Sequence, residues 1–110
     1  MTDYQTANNG RADVMWQRGE LAAILNVYGH LVAQGEWKDY AIDALRDCAV
    51  FSIFRRASEV PLYTVVKTPN DSRKQGMYKV VAAGGQILKR GHELVSVLKV
   101  FDKKRFRVVN

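Results

Sequence analysis

Hydrophobic residues recur at helical spacing near both ends of this chain and at strand spacing between them. From Arg18 onward, Leu21, Ile24, Leu25, Tyr28, Leu31 and Val32 fall at i, i+3, i+4, i+7, i+10 and i+11, on one side of a helix. Gly35 follows directly and supplies a left-handed stop. Toward the other end, Leu94, Val97, Leu98 and Phe101 fall at i, i+3, i+4 and i+7 and predict a second helix. Gly91 opens it, Glu93 sits in its first turn, and Lys103 and Lys104 stand at its last, all favourable for the helix dipole.

Between the helices the composition turns to β-branched and aromatic residues. Leu62 to Lys67 (LYTVVK) reads as a strand, bounded by the turns Ser58-Glu59-Val60-Pro61 and Thr68-Pro69-Asn70-Asp71. A basic loop, Ser72 to Gly76, follows. Met77 to Ala82 and Gln86 to Arg90 then pair across Ala83-Gly84-Gly85, whose glycines supply the positive φ a tight hairpin requires. Trp37 to Arg56 fits two patterns. As a helix, Trp37, Tyr40, Ala41, Ala44, Leu45 and Cys48 share a face; as strands, Tyr40 to Leu45 and Cys48 to Arg55 flank an Arg46-Asp47 turn. AVFSIF has no helical stripe and favours the hairpin.

The order is helix, strands, helix, joined by short connections. It predicts an α+β fold: an antiparallel sheet of four to five strands in a meander, with an N-terminal and a C-terminal helix packed in two layers. Residues 1–13 are polar and read as a flexible tail, leaving 14–110 as one domain. Val14, Met15 and Trp16 read equally as a short strand or a packed lead-in, and Phe106, Val108 and Val109 as a terminal strand.

Charge changes this picture. Residues 1–54 hold four Lys/Arg against seven acids, and residues 55–110 hold thirteen against four. A sheet-rich half with that excess attracts polyanions, phosphate backbones above all, although such a surplus also serves plain solubility. The lone Cys48 staples nothing and reads as a small buried hydrophobe in a reducing compartment. No leader-like apolar segment and no run near 18 apolar residues occurs, so the expectation is a cytoplasmic protein with no membrane role.

Candidate chemistry is sparse. His30, His92 and Cys48 have no metal-ligand spacing, and His30 lies on the solvent side of the first helix. GxSxG, HExxH and phosphate-cradling glycine motifs are all missing, and Asp39 and Asp43 read as solubilising charges. The expectation is therefore not an enzyme, with no catalytic, cofactor or metal residues and no small-molecule substrate. The positive residues are the functional lead: Arg55, Arg56, Arg73, Lys74, Lys79, Lys89 and Arg90. Lys79 and Lys89 alternate with Val80 and Leu88, which puts them on the open side or the edges of the sheet. Tyr78, with Tyr63, offers a stacking surface of the kind sheet-based single-strand binders use, unless both tyrosines belong to the core. The expected partner is nucleic acid. The alternative is a protein partner or a second copy, in a homodimer or homo-oligomeric adaptor with no nucleic-acid role.

The strings GEWKDYAID, AVFSIFRRASEVPLYTVVK and KQGMYKVVAAGGQILKRGHELVSVLKVFDKK span much of the stretch from residue 15 to 105. On them the chain resembles a family of small alphaproteobacterial proteins catalogued as a domain of unknown function. That resemblance implies a bacterial, cytoplasmic, single-domain protein and brings no activity, cofactor or site residue.

Overall fold

The computed structural model describes residues 13–55 and 60–102. The tail expected at 1–12, the terminal strand expected at Phe106 to Val109, Lys103, Lys104 and Arg56 lie outside the described residues. Helix α1 (Arg18–Ala33) is followed by five strands, β1 (Asp39–Ala44), β2 (Ala49–Phe54), β3 (Tyr63–Lys67), β4 (Tyr78–Ala82) and β5 (Ile87–Gly91). A short helix α2 (Leu94–Leu98) then runs into a 3-10 turn over Lys99–Phe101. The strands form one antiparallel sheet in the order β1-β2-β3-β4-β5. The α+β meander expected from the pattern is the fold found, and residues 39–54 form the hairpin, not the helix.

α1 ends where Gly35 takes φ +80°. The Gly35 N–H donates to Val32 O and the Glu36 N–H to Leu31 O, so two orphan carbonyls of the last turn are satisfied. The buried stripe of α1 is rotated from the one the spacing predicts. Ile24, Val27 and Leu31 are buried, whereas Leu25 and Val32 are 37% and 39% exposed. The cause is α2, which packs beside α1 and covers the Val27 side. Gly91 ends β5 and does not open α2, and Glu93 is the residue before the first turn, not within it.

The covered face of the sheet is built from Ala49, Phe51, Ile53, Tyr63, Val65 and Val80, which alternate with half-buried residues along their strands, except at Ser52, itself 8% exposed. An aromatic cluster fills the space above them: Trp37 meets Phe101 edge-on at 4.9 Å and Tyr63 meets the same ring at 5.2 Å. Trp16 is also buried, reached by a lead-in whose Val14 N–H donates to Leu45 O. Cys48 is half-buried at the β1–β2 turn and so lies outside the core expected for it, which begins one residue later at Ala49. Leu98, 4% exposed, stands in the middle of the α2 stripe. Leu98→Ala is expected to cost about 3 kcal/mol in urea unfolding, because the methyls it removes have no solvent to replace them.

One polar group inside this layer ties helix to sheet. Lys67, the last residue of β3, continues the inward phase of Tyr63 and Val65 and is 7% exposed. Its Nζ lies 2.8 Å from Glu20 Oε1 and donates to Met15 O at 2.9 Å. Glu20 Oε1 also accepts the Gln17 N–H at 2.7 Å, and its Oε2 accepts the Tyr78 hydroxyl at 2.6 Å. The first turn of α1 is thereby fixed to β3 and β4 at once.

Candidate nucleic-acid interface

Four cations of the second half, Arg73, Lys74, Lys79 and Arg90, meet at one corner of the sheet because the β3–β4 loop folds back on β5. Thr68 N–H donates to Met77 O at 2.6 Å and closes the loop at its base. Inside it, the Asp71 carbonyl accepts the N–H groups of Lys74 and Gly76, each at 3.1 Å. Gly76 then passes against the backbone of Gly91, and the Arg90 guanidinium donates to Gln75 Oε1. Arg73 and Lys74 are exposed on this loop. Lys79 and Arg90 stand opposite each other on β4 and β5, both half-buried.

Four of the residues singled out in the sequence fall elsewhere. Lys89 does not share a side with Lys79. A bulge at Leu88 leaves Val80 paired with Lys89 and Val81 with Ile87, so Lys89 projects past the edge on the helix side, where it is exposed. Arg55 is exposed beyond the Ile53–Tyr63–Ala82 end of the strands. The basic loop lies at the opposite, Lys67–Tyr78 end, so the structure does not bring Arg55 to it. Tyr78 is 7% exposed on the covered face, with its hydroxyl given to Glu20, and Tyr63 is 8% exposed within the aromatic cluster. Neither ring is a stacking platform. Burial, then the bond to Glu20 and that group's charge, push the Tyr78 hydroxyl up to about 12.

The face of the sheet turned away from the helices carries a charge gradient. Cross-strand pairing runs one row from Asp43 through Val50, Val66 and Lys79 to Arg90. The next row runs Ala41, Ser52, Thr64, Val81, Ile87. Because strand order follows sequence order, the acidic first half and basic second half of the chain become an acidic edge and a basic edge. Among the described residues no helix covers this face.

The remaining candidates are dispersed. His30 and His92 are exposed, and among the described residues no three metal-ligating side chains gather. A cleft of about 240 Å³ between α1 and α2 is lined by Ala23, Asn26, Val27, Val95, Leu98, Lys99 and Asp102. Among the described residues no helix is long and apolar enough to cross a membrane.

These features define a small two-layer α+β domain in which Arg73, Lys74, Lys79 and Arg90 gather at one corner of a five-stranded meander. The chain belongs to the DUF2794 family, described as a protein of unknown function, whose model matches residues 14–98. No curated protein and no solved structure matches it.

Proposed function

We propose that this protein is a non-catalytic cytoplasmic module that holds a nucleic-acid phosphate backbone against Arg73, Lys74 and Lys89, with Lys79 and Arg90 beside them. The observation that carries this reading is the docking of the 72–76 loop onto β5 through Arg90 and Gln75, which sets Arg73 and Lys74 beside Lys79 and Arg90 in a stretch with no acid between Asp71 and Glu93, with Lys89 exposed on the other side of the same edge strand. Clustered cations release condensed counterions from a phosphate backbone, a driving force that needs no base contact. With Tyr78 and Tyr63 committed to the core, no aromatic ring in the set is left to stack on bases. The module therefore grips backbone without reading sequence.

The triple variant Arg73→Glu, Lys74→Glu, Lys89→Glu tests it. All three side chains are exposed, so folding is expected to be unchanged. Binding to single-stranded and duplex DNA and RNA should weaken alike for all sequences. The slope of log K against log salt should fall by about 0.7–0.9 for each phosphate left unneutralised. Equal retention of variant and native protein, or no retention of the native protein at low salt, refutes the proposal.

A further inference from the structure

We infer that the open face of the sheet is a self-complementary interface that joins two copies of this chain about a two-fold axis running along β3. The face has a half-buried apolar centre, Val50, Val66 and Val81, with half-buried Thr64 and buried Ser52 among them, and Ile87 is 45% exposed at its edge. Its flanks differ in sign: Asp39 and Asp43 on β1, Lys79 and Arg90 on β4 and β5. Among the described residues neither Asp39, Asp43 nor Lys79 has an ion-pair partner within the chain. With strands about 4.8 Å apart, Asp43 and Arg90 stand about 19 Å from each other at the two ends of one row. They are too far apart to pair within one chain.

A second copy brings them together. Sheets stack face to face about 10 Å apart with strands nearly aligned. A two-fold along β3, lying between the sheets, places β1 of one copy over β5 of the other and keeps every cross-strand row over itself. Asp43 then faces Arg90 at both ends of the row. Lys79 lies along Val50 with its ammonium toward Asp43, in the manner of a long cation whose stem covers an apolar neighbour. Val66 meets its own copy, as does Thr64, while Ala41 meets Ile87 and Ser52 meets Val81. The other in-plane two-fold, across the strands, stacks β1 on β1 and sets acid against acid, so the charge pattern selects one arrangement. Isologous pairing of this kind requires every interaction off the axis to occur twice, and the gradient across the rows meets that condition. Lys79 and Arg90 belong to this face as well as to the proposed nucleic-acid corner, whereas Arg73, Lys74 and Lys89 stand in neither of its cross-strand rows, so the two readings are tested by different variants.

The test is the mass of the full chain, treated with nuclease, by sedimentation equilibrium from about 1 µM to about 1 mM, the range over which a small interface titrates. The expected result is a transition from 12.5 kDa to twice that mass. Asp43→Arg or Arg90→Asp alone should weaken dimerisation at least about tenfold by setting like charges together, and the two combined should restore it. Val66→Lys, which places two ammonium groups on the axis, should leave a monomer with an unchanged circular-dichroism spectrum. A native chain that stays at 12.5 kDa throughout overturns the inference. So does a dimer indifferent to the single reversals, or a combined variant no better than either alone. The glutamate triple variant, by contrast, should dimerise as the native chain does.

Discussion

Gly76→Ala is expected to destabilise this protein by more than about 4 kcal/mol, at the extreme of what one methyl can do. Two independent reasons converge. The backbone there has φ +92°, which an L side chain rarely adopts. A Cβ would also stand 2.2 Å from both the carbonyl carbon and oxygen of Gly91 and 2.7 Å from the His92 nitrogen. Those neighbours are main chain, so no rotamer change relieves the overlap. The loop would have to lift from β5, taking Gln75 from Arg90 and the loop cations from the corner. Gly84→Ala is the control: nothing lies within 4 Å of its added methyl, and its stability should be close to native. Urea unfolding of the two variants side by side settles the point. A Gly76→Ala midpoint near that of Gly84→Ala would mean that the loop is not seated on β5.

Gly76 also marks a limit of what periodicity encodes. It is legible as the end of a basic loop, but its approach to Gly91 depends on the pairing register of β4 and β5, which no local pattern carries. Gly91 reads as a helix opener because it follows a strand, whereas its missing side chain leaves room for Val97, whose Cγ2 would lie 3.3 Å from an added Cβ. The elements were legible because their signals are local. Six stripe positions define α1, Ala83-Gly84-Gly85 defines a hairpin in which Gly85 takes φ +92°, and AVFSIF resolves to a strand because β-branched and aromatic residues sit poorly in a helix. Which flank of the α1 stripe would be covered was not legible, since that depends on where α2 docks.

The candidate site was legible as a composition and only partly as a place. Arg73, Lys74, Lys79 and Arg90 meet because a short loop and one hairpin carry them. Lys89 departs because the bulge at Leu88 shifts the phase of β5 by one residue. Tyr78 was legible as a core residue by the same alternation that buries Val80, and its aromatic character drew it toward the wrong role. The signal for Lys67 was also present: it continues the phase of Tyr63 and Val65, so an inward lysine demanded a carboxylate. What the chain could not show is that Glu20, 47 residues earlier, would be that carboxylate.

Glu20→Ala should therefore cost about 3–5 kcal/mol, because it leaves the Lys67 ammonium buried at 7% exposure without its charge partner. Tyr78 would lose its acceptor as well, and the first turn of α1 its link to two strands. Glu20→Gln keeps the volume and an acceptor and is expected to fall between alanine and native. The pH dependence separates the ionic contribution from packing. Burial alone raises the Glu20 carboxyl, but the bonds from Gln17 N–H, Lys67 and Tyr78, with the Lys67 charge, together hold it below its ordinary 4.5. A depressed native value means that the native state binds fewer protons than the unfolded chain. The stability Glu20 contributes is then present above pH 4.5 and is lost as pH falls through the lower native value. The gap between native protein and Glu20→Gln should narrow on that acid limb. At the other end the sign reverses: Tyr78 is raised from 10.0 to about 12, so its contribution is present below pH 10 and is lost between those values. The gap between native protein and Tyr78→Phe should narrow over that alkaline window and stay constant between the two limbs. Chemical denaturation from acid to alkaline pH reads both effects, and gaps that do not change with pH would mean that the three side chains pack together without sharing charge.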